Sequence, residues 1–269
     1  MQRRKDQNYD RQLKALEGPE PLSGEIPLAH LAPAWVAKEI MKVGKLVTKK
    51  CRVFNTDLIY FFAIKPAYRT KIGAEESHQL SRFPVAFILK QSSLKNPRHV
   101  YPFDTGGAAD GAFDSKADPY VPLEDYALSP EFSAVSNFIG WAFGNKIDYY
   151  DGRLRNNLSE ETQPFQSVAV SYIDIARMGV VGSNEHDTRA STIEISSNHN
   201  IELAGALHLI IAPKQFVEGN EPVLELMGPL KKSGAELKLY DWQPNRAPNE
   251  YQDDIMRIAR AWYEQKKIL

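Results

Sequence analysis

The order of apolar and polar positions divides the chain into short elements. "IPLAHLA" (26–32) has the make-up of a brief strand closed by Pro33. A helical pattern follows from Pro33 to about Val43, with proline at an early helical position and Gly44 as its stop. Val36, Ile40 and Val43 fall at i, i+4 and i+7, which predicts the core face of that helix. "DLIYFFAI" (57–64) and "FPVAFILK" (83–90) are apolar throughout, as strands covered on both faces are. Residues of about 101–125 are rich in Gly, Pro and Asp and read as loop, and 131–143 read as an amphipathic helix. "SVAVSYIDI" (167–175) reads as a strand on its β-branched and aromatic content.

One run breaks the rule that such strands are apolar. In "STIEISS" a glutamate, Glu194, stands among β-branched residues. Alternation puts Ile193 and Ile195 on one face and Thr192, Glu194 and Ser196 on the other. A carboxylate there is costly unless it faces a cleft or finds a partner. Beyond it, "LHLIIAP" (207–213) reads as a strand stopped by Pro213. A helix, a strand and a last helix from about Asn249 to Lys267 complete the chain, the last with Ile255, Ile258 and Trp262 along one face. Several strands have no helix between them, so antiparallel pairing is expected. Residues 1–24 read as a flexible polar lead-in ending at "EGPEPLSG", and no linker or repeat interrupts the chain after residue 24. The expectation is a single mixed α+β domain over 25–269, with a core at about 26–213 and a helix-strand-helix extension at 214–269.

Composition narrows the function classes. The 269 residues are 43% hydrophobic and 25% charged, with a net charge of -1, which singles out neither a nucleic-acid nor a membrane-surface protein. The single cysteine, Cys51, cannot form an internal disulfide and fits a reducing compartment. The six histidines show no metal-binding spacing, so no metal is expected. With no apolar signal segment and no window near the roughly 18–20 apolar residues of a membrane helix, a cytoplasmic protein without membrane contact is expected. Charge is unevenly spread, however. Between residues 38 and 71 nine Lys or Arg residues stand against Glu39 and Asp57. Such a patch, with Trp35 or Tyr68 for base stacking, suits DNA, RNA or an acidic protein, and equally a solvated helix face. "DTGG" (104–107) lacks the Lys-Ser/Thr of a phosphate loop and has no second copy for a carboxylate dyad, so it reads as a tight turn that could border a cleft. His186–Asp187 has the composition of part of a hydrolase triad, without the Gly-x-Ser-x-Gly elbow.

Three segments taken together, "LAHLAPAWVAKEIMKVGKL", "DLIYFFAIKPAYR" and "STIEI", resemble the ADP-ribosyltransferase superfamily, and within it the DarT-like branch that modifies nucleic acid. In that pattern a His ends the first strand and a helix closing at a Gly-Leu-like turn follows, here His30 and Gly44–Leu46. An aromatic strand with a basic residue comes next, here Tyr60, Phe61, Phe62, Lys65, Pro66, Tyr68 and Arg69. A late strand then carries the catalytic Glu, here Glu194.

The resemblance implies a split, antiparallel-rich β core with flanking helices, and NAD as co-substrate. Glu194 would stabilise the cationic sugar formed as the nicotinamide–ribose bond breaks. His30 would bond the adenosine-side ribose or a polar group nearby. Tyr60, Phe61 and Tyr68 would line the nicotinamide, with Thr192 beside the cofactor. Lys65 or Arg69 would meet the pyrophosphate and assist catalysis. The chain departs from the pattern at Lys65, where arginine is expected; a lysine is a point charge and makes no bidentate contact. Thr192 stands where arginine-modifying members carry Glu or Gln, which argues against an arginine acceptor. His186 and Arg189 are candidates for the acceptor loop. The resemblance further implies a toxin with an antitoxin partner, used against phage, and transfer of ADP-ribose to a base of single-stranded DNA or RNA. A protein side chain as acceptor, and a non-catalytic binding module, are the alternatives.

Overall fold

A computed structural model of the chain describes Met1, Leu13 and residues 22–67, 77–180 and 187–269. Among these the strands are β1 (Leu28–Pro33), β2 (Lys45–Leu46), β3 (Lys49–Lys50), β4 (Asp57–Ala63), β5 (Pro84–Leu89), β6 (His99–Tyr101), β7 (Glu194–Ser197), β8 (Ile201–Glu202), β9 (Leu207–Pro213) and β10 (Glu236–Tyr240). The helices are α1 (Ala34–Val43), α2 (Thr105–Ala109), α3 (Phe132–Phe143), α4 (Lys146–Tyr150), α5 (Leu158–Glu161), α6 (Ser167–Ala176), α7 (Lys214–Val217), α8 (Glu221–Lys232) and α9 (Gln252–Gln265). The fold is mixed α+β, with mostly antiparallel strand pairing and flanking helices. No helix among the described residues is long and apolar enough to cross a membrane. The chain clusters into two compact units, one rich in strands (25–49, 57–95 and 197–269) and one rich in helices (1–24, 50–56 and 96–196).

In the strand-rich unit the order is β10-β9-β5-β1-β4. β1 pairs antiparallel with both β4 and β5, β5 with β9, and β9 runs parallel to β10. Every residue of β5 is buried, as its unbroken apolar run requires. α1 leaves β1 directly and ends at Gly44, whose φ of 76° favours a residue without Cβ. Its buried face differs from the expected stripe. Ala34, Ala37 and Met41 point inward, while Val43 is 54% exposed. The two alanines let α1 approach β1 and β5 closely, and contact with the sheet outweighs the stronger hydrophobicity of valine. α9 lies against β9 and β10 and buries Ile255, Ala259, Trp262 and Tyr263.

The helix-rich unit is built around rings. Phe103 meets Phe113 and Tyr126 edge-on, and Phe138 meets Tyr172 in the same way. The segment 167–175 is the helix α6, not the strand its composition suggests. Val168, Ala169, Tyr172, Ile173, Ile175 and Ala176 are all buried, so apolar residues occupy every side of it. A short run buried all round carries no period that tells helix from strand, and tertiary contact decides. Within the segment read as loop, α2 forms behind Asp104, whose side chain caps it by accepting the Gly106 N–H.

Candidate active site

β6 and β7 pair so that Tyr101 lies opposite Glu194 and His99 opposite Ser196. Residues opposite each other share a face, so these four side chains lie on the same side of the pair, as the alternation predicts. That face is not open to water: Glu194 is 4% exposed and Ser196 is 1% exposed. Phe54 covers part of it, stacked on His99 at 4.3 Å and tilted against Tyr101 at 5.6 Å. His99 Nδ1 lies 3.1 Å from Ser196 Oγ.

The partner that Glu194 needs comes from the turn read as loop. The Thr105 hydroxyl donates to Glu194 Oε1 at 2.6 Å, and the Thr105 N–H donates to Oε2 at 3.3 Å. The next residue upstream, Asp104, accepts the Gly106 N–H at 3.0 Å on one oxygen and Arg189 Nη1–H at 2.8 Å on the other. Arg189 also donates through Nη2 to Asp187 at 2.8 Å and through Nε at 3.0 Å. Gly107 makes room for this pair, because a Cβ there would lie 3.1 Å from Asp104 Oδ2 and 3.3 Å from Arg189 Nη1.

Electrostatics follow from this crowding. Burial first, and then the Asp104 carboxylate, hold the Glu194 carboxyl well above the usual carboxylate range, against the downward pull of the Thr105 bonds. Burial works against the Arg189 charge, but Asp187 and Asp104 together raise it above its ordinary value, so it stays a cation. Three carboxyl groups therefore share one guanidinium. Such a site is short of positive charge and favours any that develops beside it.

The backbone that carries Glu194 is fixed from behind. The Ile193 N–H donates to the Tyr149 hydroxyl at 3.0 Å, and burial raises that phenol above its ordinary range. Ahead of it, residues 188–191 make a 3-10 turn whose Ser191 is fully buried. Gly179 lies against that serine so closely that a Cβ would come 2.1 Å from Ser191 Oγ and 2.6 Å from its Cβ.

Of the residues singled out from the sequence, Glu194, Arg189 and Thr192 belong to this unit. Arg189 is tied into the acidic network and does not stand free in an acceptor loop. The Thr192 hydroxyl donates to the Thr188 carbonyl at 2.6 Å and is buried. In the strand-rich unit, His30 Nδ1 lies 2.9 Å from the Tyr60 carbonyl, and its ring is 5.8 Å from that of Phe61. A carbonyl only accepts, so Nδ1 carries the proton and Nε2 offers its lone pair. Burial, with the Lys49 charge, lowers the His30 pKa below its ordinary value and keeps the ring neutral. Phe61 is fully buried in the core, and Lys65 is 1% exposed. Lys65 is thus no part of a surface patch. Trp35 is 60% exposed on α1, as a stacking role requires. Tyr68, Arg69 and His186 lie outside the described residues. Among the described residues no grouping of His, Cys, Asp and Glu is arranged to hold a metal ion.

Asp104, Thr105, His99 and Tyr101 were not singled out as site residues from the sequence. A signal for the first two was present, since "DT" occurs at 104–105 and again at 187–188. In both places the aspartate accepts the N–H two residues on, and Arg189 joins the two aspartates.

No family model matches the sequence, and no curated protein matches it. Among solved structures the chain is similar to Thermus sp. 2.9 DarT in complex with NAD+, at 9% identity and a TM-score of 0.37, over 83% of this chain and 100% of that one. It is similar also to Thermus sp. 2.9 DarT in complex with ADP-ribosylated ssDNA, at 9% identity and a TM-score of 0.37, over 84% of this chain and 97% of that one. Both are structures of DarT, after which the branch resembled by the sequence is named.

Proposed function

We propose that the chain is an NAD-dependent ADP-ribosyltransferase with Glu194 as its catalytic residue and a base of single-stranded DNA as acceptor. The observation that carries this reading is the Glu194 carboxylate itself, buried on a strand and bonded by both donors of Thr105. A carboxylate placed so firmly does not reorganise as charge develops, which is the condition for electrostatic stabilisation. In the reaction the ribose C1′–nitrogen bond of NAD breaks and its electron pair leaves with nicotinamide. A bond from C1′ to the acceptor base forms, and the proton of that base passes to solvent. Positive charge gathers on the sugar between these events, and the acidic cluster around Arg189 favours it.

The other roles follow the sequence resemblance. The Nε2 lone pair of His30 accepts from a ribose hydroxyl, Tyr60 and Tyr68 line the base end, and Lys65 or Arg69 meets the pyrophosphate. The acceptor is that named in the second DarT structure, with RNA as the alternative polymer. The resemblance also supplies the setting, a toxin held in check by an antitoxin.

The test uses adenylate-labelled NAD with single-stranded DNA, total RNA and lysate protein in parallel, for the wild type and Glu194→Gln. Label on single-stranded DNA that disappears in the variant is expected. Label on RNA or protein alone would keep the reaction and replace the acceptor. No label on any of the three, or label unaffected by the substitution, would sink the reading.

A further inference from the structure

Around β7 the acidic groups are bonded unequally. Both oxygens of Asp104 accept from N–H donors, the Gly106 amide at 3.0 Å and Arg189 Nη1 at 2.8 Å. Both oxygens of Asp187 accept from Arg189 as well. Those arrangements suit anions. Glu194 instead faces the hydroxyl and amide of Thr105, and its carboxyl lies within hydrogen-bonding reach of Asp104. Two buried carboxylates in such reach repel, and a single proton between them turns the repulsion into a bond. Asp104 is committed as the anion by its two N–H donors. The proton therefore rests on Glu194.

We propose that Asp104 and Arg189 are positioning residues for Glu194, holding a proton on its carboxyl in the free protein and releasing it when the cationic nicotinamide-ribosyl group of the donor arrives. This rests on Glu194 being the catalytic carboxylate. With the proton in place, Asp104, Asp187, Glu194 and Arg189 sum to one negative charge. When the proton leaves to solvent and one positive charge takes its place, the sum is the same. The exchange thus spares the site both an unpaired buried anion before binding and an excess cation after it. Other groups near Glu194 are Tyr101 opposite it on β6, His99 one pair along and bonded to Ser196, and the Tyr149 phenol bonded to the Ile193 amide.

Substitutions at the two residues push the Glu194 titration in opposite directions, which loss of structure would not do. The protein is labelled at the glutamate side-chain carboxyl carbons, the Glu194 signal is assigned by its absence in Glu194→Gln, and the pH is stepped. Asp104→Asn removes the opposing charge, and the Glu194 midpoint moves to lower pH, by about one unit or more. Asp104→Ser keeps the helix cap and gives the same direction should the asparagine form not fold. Arg189→Gln removes the cation, and the last ionisation step seen at Glu194 moves to higher pH. A midpoint unmoved by either change, or moved the same way by both, overturns the proposal. This readout needs no turnover, so it stands or falls separately from the labelling assay. Where label is transferred, the acid limb of the pH–rate profile follows the midpoint, at about tenfold in rate per unit.

Discussion

Replacing Glu194 by Gln should stabilise the protein, and the gain should grow with pH. The folded state holds the Glu194 proton to a higher pH than an unfolded chain does, because burial and then Asp104 oppose its ionisation. Between the ordinary glutamate range and that raised midpoint, the folded state binds more protons than the unfolded state. Stability from this group is therefore complete below the ordinary range and declines as pH rises toward the raised midpoint, by about 1.4 kcal/mol per pH unit. Glutamine resembles the protonated acid: its oxygen accepts the Thr105 N–H, and its amide can donate to the Thr105 hydroxyl or to Asp104. It does not titrate, so the decline is absent from the variant. In a chain of this length each such unit is worth about 3–5 °C in melting temperature. Thermal unfolding of both proteins from pH 4 to pH 9 isolates the effect, because other groups cancel in the difference. A difference that stays flat with pH, or that turns in favour of the wild type as pH rises, would refute the assignment of a proton to Glu194.

Three further perturbations follow from the same geometry. Thr105→Val removes the 2.6 Å hydroxyl bond to the ionised carboxylate; a bond to a charged group is worth about 1.5–3 kcal/mol, so NAD-dependent labelling should fall about 10- to 100-fold at neutral pH, and an unchanged rate would remove Thr105 from the site. Gly179→Ala forces a Cβ to 2.1 Å from Ser191 Oγ; overpacking of this kind costs about 1–3 kcal/mol, read as a lower melting temperature, and Ser191→Ala should not restore it because the two Cβ atoms still meet at 2.6 Å. His30 should show the neutral ring with its proton on Nδ1 in nitrogen NMR at pH 6, since burial and then Lys49 hold it below its ordinary value. The stability it contributes is lost as pH falls through its lowered midpoint, and an imidazolium pattern at pH 6 would contradict this.

The features legible in the chain were local. The strand that carries Glu194, the α1 helix with its Gly44 stop and the strands at 57–63 and 84–89 follow from periods of two and 3.6 and from punctuation by Gly and Pro. The illegible ones depend on distance along the chain. Asp104, Arg189 and Glu194 meet only because β6 and β7 pair, and neither "DTGG" nor "DTRAS" shows which partner it will find. α6 was opaque for the reverse reason, since a run buried on every side loses the polar positions that would mark its period.

The C-terminal segment, which the sequence leaves as an extension, has a structural task at Lys65. β4 ends in a turn where the Lys65 N–H bonds the Ala63 carbonyl at 2.5 Å, with Ile64 between them at a φ of 58°. A β-branched residue held at positive φ costs about 1–3 kcal/mol and persists only where its surroundings dictate it. Those surroundings come largely from α9 and its lead-in. The Tyr263 hydroxyl donates to the Ile64 carbonyl at 2.8 Å, and Gln252 Nε2 donates to the Pro66 carbonyl. The carbonyls on either side of Lys65 are thus both fixed by the last helix, and Lys65 is buried between them. Burying a lysine is among the least favourable placements a soluble fold can make, so a strained turn clamped from α9 serves a placement rather than stability. A segment that secures this residue is part of the working fold, and its loss would release the turn before it disturbed the sheet.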